Sequence, residues 1–81
     1  MTFETFLKMV GRKIAAIRKS RSLTQRDTAE RAGISYRYFQ NIESGAANLT
    51  LSTIFRLSRF FGVGVADIID ERAPRDSSTP I

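Results

Sequence analysis

The chain has 81 residues, no cysteine, no histidine and a net charge of +5. That length holds one small domain with a modest core. The two missing residue types exclude disulfides, thiolate metal sites and the usual imidazole ligand or base. An enzyme is therefore disfavoured, and no metal or cofactor is expected. No apolar run approaches the roughly 20 residues that span a bilayer. The opening MTFETFLKMVGRK mixes charges into its apolar residues, unlike a signal peptide, which points to the cytoplasm.

The first predicted helix carries Phe3, Phe6, Leu7, Val10, Ile14 and Ile17 at spacings of three and four, one apolar stripe. Lys8, Arg12, Lys13 and Lys19 decorate its other faces, and the stripe fades at Ser20-Arg21-Ser22. Thr24 then caps a second helix, with Asp27 three residues on as a variant of the capping box. That helix runs to Arg31 or Ala32 and stops at Gly33, where a sharp turn calls for positive φ. Ser35 caps the third helix, and Ile34 before it can staple onto Phe39.

The third helix ends near Ser44 with Gly45 as its terminal signal. After the loop Ala46-Ala47-Asn48-Leu49, a fourth helix begins behind Thr50. It places Leu51, Ile54, Leu57, Ser58 and Phe61 on one face and stops at Gly62. Val65 to Asp70 reads as a short fifth helix contributing Ile68 and Ile69. The remaining ERAPRDSSTPI has two prolines, no helical period and a disordered composition. The organisation expected is an all-α bundle of five short helices over residues 1–70, with a disordered tail over 71–81.

Charge is unevenly spread. Residues 1–49 carry nine basic and four acidic groups, whereas residues 50–81 are balanced at four of each. The whole excess lies in the first part, as a solvated basic face would have it, or as a surface for nucleic acid or anionic lipid would.

The third helix sharpens the choice. At about 100° per residue, Tyr36, Arg37, Gln40, Asn41 and Ser44 share one arc, with Phe39 and Ile42 opposite and Tyr38 and Glu43 on the border. Any solvated helix has a polar outer face. An arginine and two amides can also pair with guanine and adenine edges in a major groove. Just upstream, Ala29 lies four residues before Gly33, a small residue where two steeply crossing helices would touch. That is the helix-turn-helix arrangement, whose second helix enters the major groove.

The run LTQRDTAERAGISYRYFQNIESGAANLTLSTIFRLSRFFGV resembles the Cro- and phage-repressor-like (XRE-type) helix-turn-helix family. The likeness covers residues 7–70. It rests on Gly11, Arg18, Leu23-Thr24-Gln25, Ala29, Ala32-Gly33-Ile34-Ser35, Ile42-Glu43 with Gly45, and the fourth helix ending at Gly62-Val63. It implies a lambda-repressor-like DNA-binding fold. Tyr36, Arg37, Gln40 and Asn41 match base-reading positions, and Gln25, Ser35, Asn48 and Leu49 match phosphate-contacting ones. It also implies that Glu43, which opposes the dipole at its helix end, pairs with Arg18. Two departures stand out. Thr28 replaces a usual leucine, implying a thinner core under the second helix, and Phe60 is a large aromatic off the apolar stripe.

The function expected is a sequence-specific regulator of transcription that binds double-stranded DNA as a homodimer on a palindromic operator. Phe60, Ile69, Phe3 and Phe6 are the candidate dimer interface. No small-molecule effector and no membrane partner is evident. Restriction–modification controller proteins and compact phage or plasmid repressors are the similar small proteins. The alternative is a protein-interaction module on the same fold, such as an antitoxin or a coactivator, because fold does not fix function. A membrane-surface role would expose a stripe that the core needs, and Asp67, Asp70 and Glu71 read as a solvated helix end.

Overall fold

The computed structural model describes residues 1–71, and the expected tail from 72 onward lies outside them. Five helices follow in order: α1 Phe3–Ser20, α2 Gln25–Ala32, α3 Tyr36–Ser44, α4 Leu51–Phe61 and α5 Val65–Ile69. Each of the first four begins on a hydroxyl residue in extended conformation. The Thr2, Thr24, Ser35 and Thr50 oxygens accept from the amides of Thr5, Asp27, Tyr38 and Thr53. These caps satisfy amides that have no partner within the helix. At α5 the Asp67 carboxylate accepts from the Gly64 amide at 2.9 Å instead.

Helix ends are equally regular. Ile34 N–H donates to Ala29 O and Gly33 N–H to Glu30 O, the paired bonds of a Schellman motif around a glycine at φ 74°. The same pairing closes α3 at Gly45 and α4 at Gly62. At the end of α1 it recurs, with Leu23 N–H donating to Arg18 O and Ser22 N–H to Lys19 O. There the left-handed residue is Ser22, at φ 57°, the one non-glycine residue with positive φ among those described. A side chain at that φ costs roughly 1–2 kcal/mol. Ser22→Gly should therefore raise stability by about 0.5–1 kcal/mol after glycine's extra unfolded-state entropy is charged. In a domain this size that is a rise of roughly 2–8 °C in Tm, readable by thermal melting.

The core gathers one or two residues from every helix: Val10 and Ile14, Ala29, Phe39 and Ile42, Leu57 and Phe61, and Ile68. Helix α1 packs on α3 and α5, α2 on α3 and α4, and α4 on α5. Ile34 packs against this cluster from the turn before α3. Thr28 is fully buried, and its hydroxyl folds back to donate to Thr24 O at 2.9 Å. The departure from leucine thus leaves no unpaired polar group.

Two positions differ from the pattern expected of the sequence. Leu51, assigned to the apolar face of α4, is 82% exposed. It occupies the first turn and sits about 60° round the helix from Ile54, beyond the row Thr53, Ile54, Leu57, Ser58 and Phe61 that faces the core. Phe3 starts the α1 stripe but is 62% exposed, with its ring stacked on half-buried Phe6 at 6.4 Å. Among the described residues no helix is long and apolar enough to cross a membrane.

Candidate nucleic-acid interface

Helix α3 is held to α1 by two close approaches. A Cβ on Gly11 would stand 2.5 Å from Ile42 O and 2.6 Å from Glu43 O. One turn further along α3, a Cβ on Gly45 would stand 2.9 Å from Lys8 Cα. Side chains are absent on the glycine side of both contacts, so the last turn of α3 lies directly on the backbone of α1.

Charge completes the clamp. Arg18 Nε donates to Glu43 Oε2 at 2.7 Å and Nη2 donates to Oε1 at 3.1 Å, a two-pronged pair. The two side chains are only 11% and 7% exposed. Arg18 Nη1 also donates to Leu23 O at 2.8 Å, and Gln25 Nε2 donates to Glu43 Oε1 at 2.8 Å. One carboxylate at the end of α3 is therefore bonded from α1 and from the first residue of α2. These donors offset the unfavourable dipole position and the burial of the charge.

With its inner face so fixed, α3 turns a polar face outward. Arg37, Gln40, Asn41 and Ser44 are exposed, Tyr36 and Tyr38 half-buried, and Phe39 and Ile42 buried. The loop before α4 is tied to the same helix. Tyr38 Oη donates to Asn48 O at 3.0 Å, and the amides of Ala46 and Ala47 donate to Asn41 O. Asn48 is exposed at the edge of α3, while Leu49 packs half-buried against the core. On the far side Arg56 Nη1 donates to Gly33 O at 3.0 Å, bracing the α2–α3 turn from α4.

The sequence-predicted site residues lie on α2, α3 and the loop before α4, with differing freedom. Among the described residues Arg37 and Asn41 are exposed with no side-chain bond, Gln40 is bonded to Tyr36, and the Ser35 hydroxyl caps α3 while keeping its own proton. Gln25 is half-buried with one Nε2 proton on Glu43, leaving the other for a ligand. Arg26, which sequence reasoning passed over, places its guanidinium 4.3 Å from the centre of the Tyr36 ring. Only a helix-crossing geometry could have revealed that contact, since the two residues lie on different helices. Arg26, Arg31, Arg37 and Arg56 are all exposed on α2, α3 and α4. Asp27 and Glu30 offset part of this charge on α2.

The candidate interface residues lie elsewhere. Phe60 is half-buried with its ring edge-on to Phe61 at 5.2 Å, and Ile69 and Phe6 are half-buried against the core. Exposed Leu51 and Phe55, 82% and 56%, form a further apolar strip on α4.

The chain is similar to known proteins in sequence and in fold. The family model Helix-turn-helix (HTH_3) matches residues 14–68. An uncharacterised HTH-type transcriptional regulator, y4dJ, of Sinorhizobium fredii is 32% identical over 62 residues, 76% of this chain and 80% of that protein. The immunity repressor protein of Bacillus phage phi105 is 42% identical over 62 residues, which span 43% of its own length. The crystal structure of the restriction-modification controller protein C.AhdI from Aeromonas hydrophila superposes with a TM-score of 0.74. It is 22% identical, and the match covers 76% of this chain and 94% of that one, a likeness of fold.

Proposed function

Because the chain belongs to the Helix-turn-helix (HTH_3) family of DNA-binding transcriptional regulators, we propose that it is a sequence-specific regulator acting as a homodimer on a palindromic operator, with α3 in the major groove. Residues 1–70 form the DNA-binding domain, working in the cytoplasm. The observation that carries this reading is the outward face of α3. A short helix is clamped at its end by Arg18–Glu43, and Arg37, Gln40 and Asn41 stand exposed on its free side. Arg37, Gln40 and Asn41 meet the base edges, with half-buried Tyr36 beside them on the same helix, and Gln25, Ser35, Asn48 and Leu49 meet the phosphates. A restriction-modification controller and a phage repressor among the similar proteins favour control of a compact genetic unit.

Dimerisation follows from the size of the reading head. One helix of nine residues reaches only a few base pairs, and two copies about 34 Å apart read a palindrome with useful affinity. Phe60, Ile69, Phe3 and Phe6 are the surfaces that would join the copies. Selection of the purified chain on a random duplex library, followed by titration of the winner over several salt concentrations, tests the whole reading. A palindrome with half-sites one turn apart and a steep negative salt slope is expected. Weak, unselective binding would instead mean that the basic face only tolerates DNA.

Within that experiment, Arg37→Ala should lose about 1–3 kcal/mol on the selected site and relax preference at one base pair. The exposed position predicts an unchanged Tm, so a loss of fold would be visible as such.

A further inference from the structure

Where α2 meets α3, three side chains are linked through one ring. The Arg26 guanidinium lies over Tyr36 at 4.3 Å from the ring centre, and Gln40 Nε2 donates to the Tyr36 hydroxyl at 3.2 Å. Tyr36 is half-buried and packs against the core, while Arg26 and Gln40 are exposed. The anchored member is therefore the middle one, and the two solvated members lean on it.

We propose that Gln40 reads an adenine in each half-site, and that Tyr36, backed by Arg26, holds the Gln40 amide in its reading orientation. This rests on the DNA-reading role given to α3 above. Glutamine on an open helix face has three side-chain torsions, the last of them broad and roughly two-fold. Alone, it presents the amide in either sense and pays the ordering cost on binding. The bond to the tyrosine hydroxyl fixes where the amide lies, and in the arrangement seen here Nε2 is the atom on the hydroxyl. With the Nε2 proton that points away from Oε1 given to the hydroxyl, the edge formed by Oε1 and the other proton stays open. That acceptor–donor edge matches the N6 amino group and N7 of adenine. Guanine offers O6 and N7, both acceptors, so the same edge would set Oε1 against O6.

The chemistry also sorts Tyr36 from the readers. Its hydroxyl accepts from Gln40 and one ring face is covered by Arg26, so it acts through Gln40 as a positioning residue. Arg26 does the same at one remove. A planar guanidinium stacks on the ring while its N–H groups stay free at the edge for solvent or a phosphate. A lysine there would keep the charge and lose the stack.

The test compares base preference at every operator position for wild type, Gln40→Ala, Tyr36→Phe, Arg26→Ala and Arg26→Lys, with Tm measured alongside. Gln40→Ala should lose roughly 5- to 100-fold of the preference for A·T at one symmetric position. Tyr36→Phe, which keeps the ring and removes the hydroxyl, should relax that same position by roughly 2- to 10-fold. Arg26→Ala should relax it too, and Arg26→Lys should restore the salt slope without restoring the base preference. The proposal is overturned if wild type selects an operator but Gln40→Ala leaves every A·T preference intact. It is equally overturned if Tyr36→Phe relaxes a different position from Gln40→Ala, or if Arg26→Lys recovers base preference as fully as charge. Failure of wild type to select any operator removes the DNA reading itself, and this inference with it.

Discussion

Gly11→Ala should destabilise the domain by about 3 kcal/mol or more, the largest effect expected of any single methyl group here. The added carbon would meet Ile42 O at 2.5 Å, Glu43 O at 2.6 Å and Glu43 C at 2.9 Å. Ordinary contact begins near 3.5 Å, so α1 and α3 must part by roughly 1 Å. The obstacle is backbone on both sides, and no side chain can swing away. Parting the helices also loosens Val10 and Ile14, which sit fully buried on either side of Gly11. Alanine's better helix propensity returns only about 1 kcal/mol. Gly62→Ala gives the control, because a Cβ there meets nothing within 4 Å but sits at φ 70°. It should cost about 1–2 kcal/mol of backbone strain alone. Urea unfolding of both variants separates the causes, and a Gly11→Ala variant as stable as Gly62→Ala would show that α1 can ride away from α3 cheaply.

That contrast also marks what the sequence could disclose. Thr24, Ser35 and Thr50 announce helix starts, and Gly33, Gly45 and Gly62 announce ends, because caps are made by residues within a turn of each other. The face of α3 is legible for the same reason. Its period alone separates Phe39 and Ile42 from Arg37, Gln40 and Asn41. What depends on two elements meeting is not written locally. Ser22 takes the left-handed position that glycine signals elsewhere, and Leu51 has the right spacing but falls past the edge of the core. Nothing near Arg26 in the chain points to Tyr36, nor near Tyr38 to Asn48. Arg18 and Glu43 are 25 residues apart, and their pairing came from resemblance to a family rather than from spacing.

Arg18→Ala should cost about 3–5 kcal/mol, because it strands a nearly buried carboxylate. Glu43 would lose both prongs of the pair, at 2.7 and 3.1 Å, and keep only the Gln25 amide at 2.8 Å. Leu23 O would lose its donor as well. Gln25→Ala removes one neutral donor and leaves the two-pronged pair, so it should cost only about 0.5–1.5 kcal/mol. Replacing both charges, as in Arg18→Met with Glu43→Leu, removes the stranded charge and should recover much of the loss in thermal or urea unfolding. The double variant then asks a second question. The charged pair does more than stabilise if it sets how the last turn of α3 lies on α1. In that case the double variant should melt near wild type yet bind the selected operator more weakly than Arg18 and Glu43 together do. Equal affinity would assign the pair to stability alone and leave the Gly11 contact as the feature that orients α3. An Arg18→Ala variant that melts within a degree or two of wild type would mean that the carboxylate finds water, contrary to its 7% exposure.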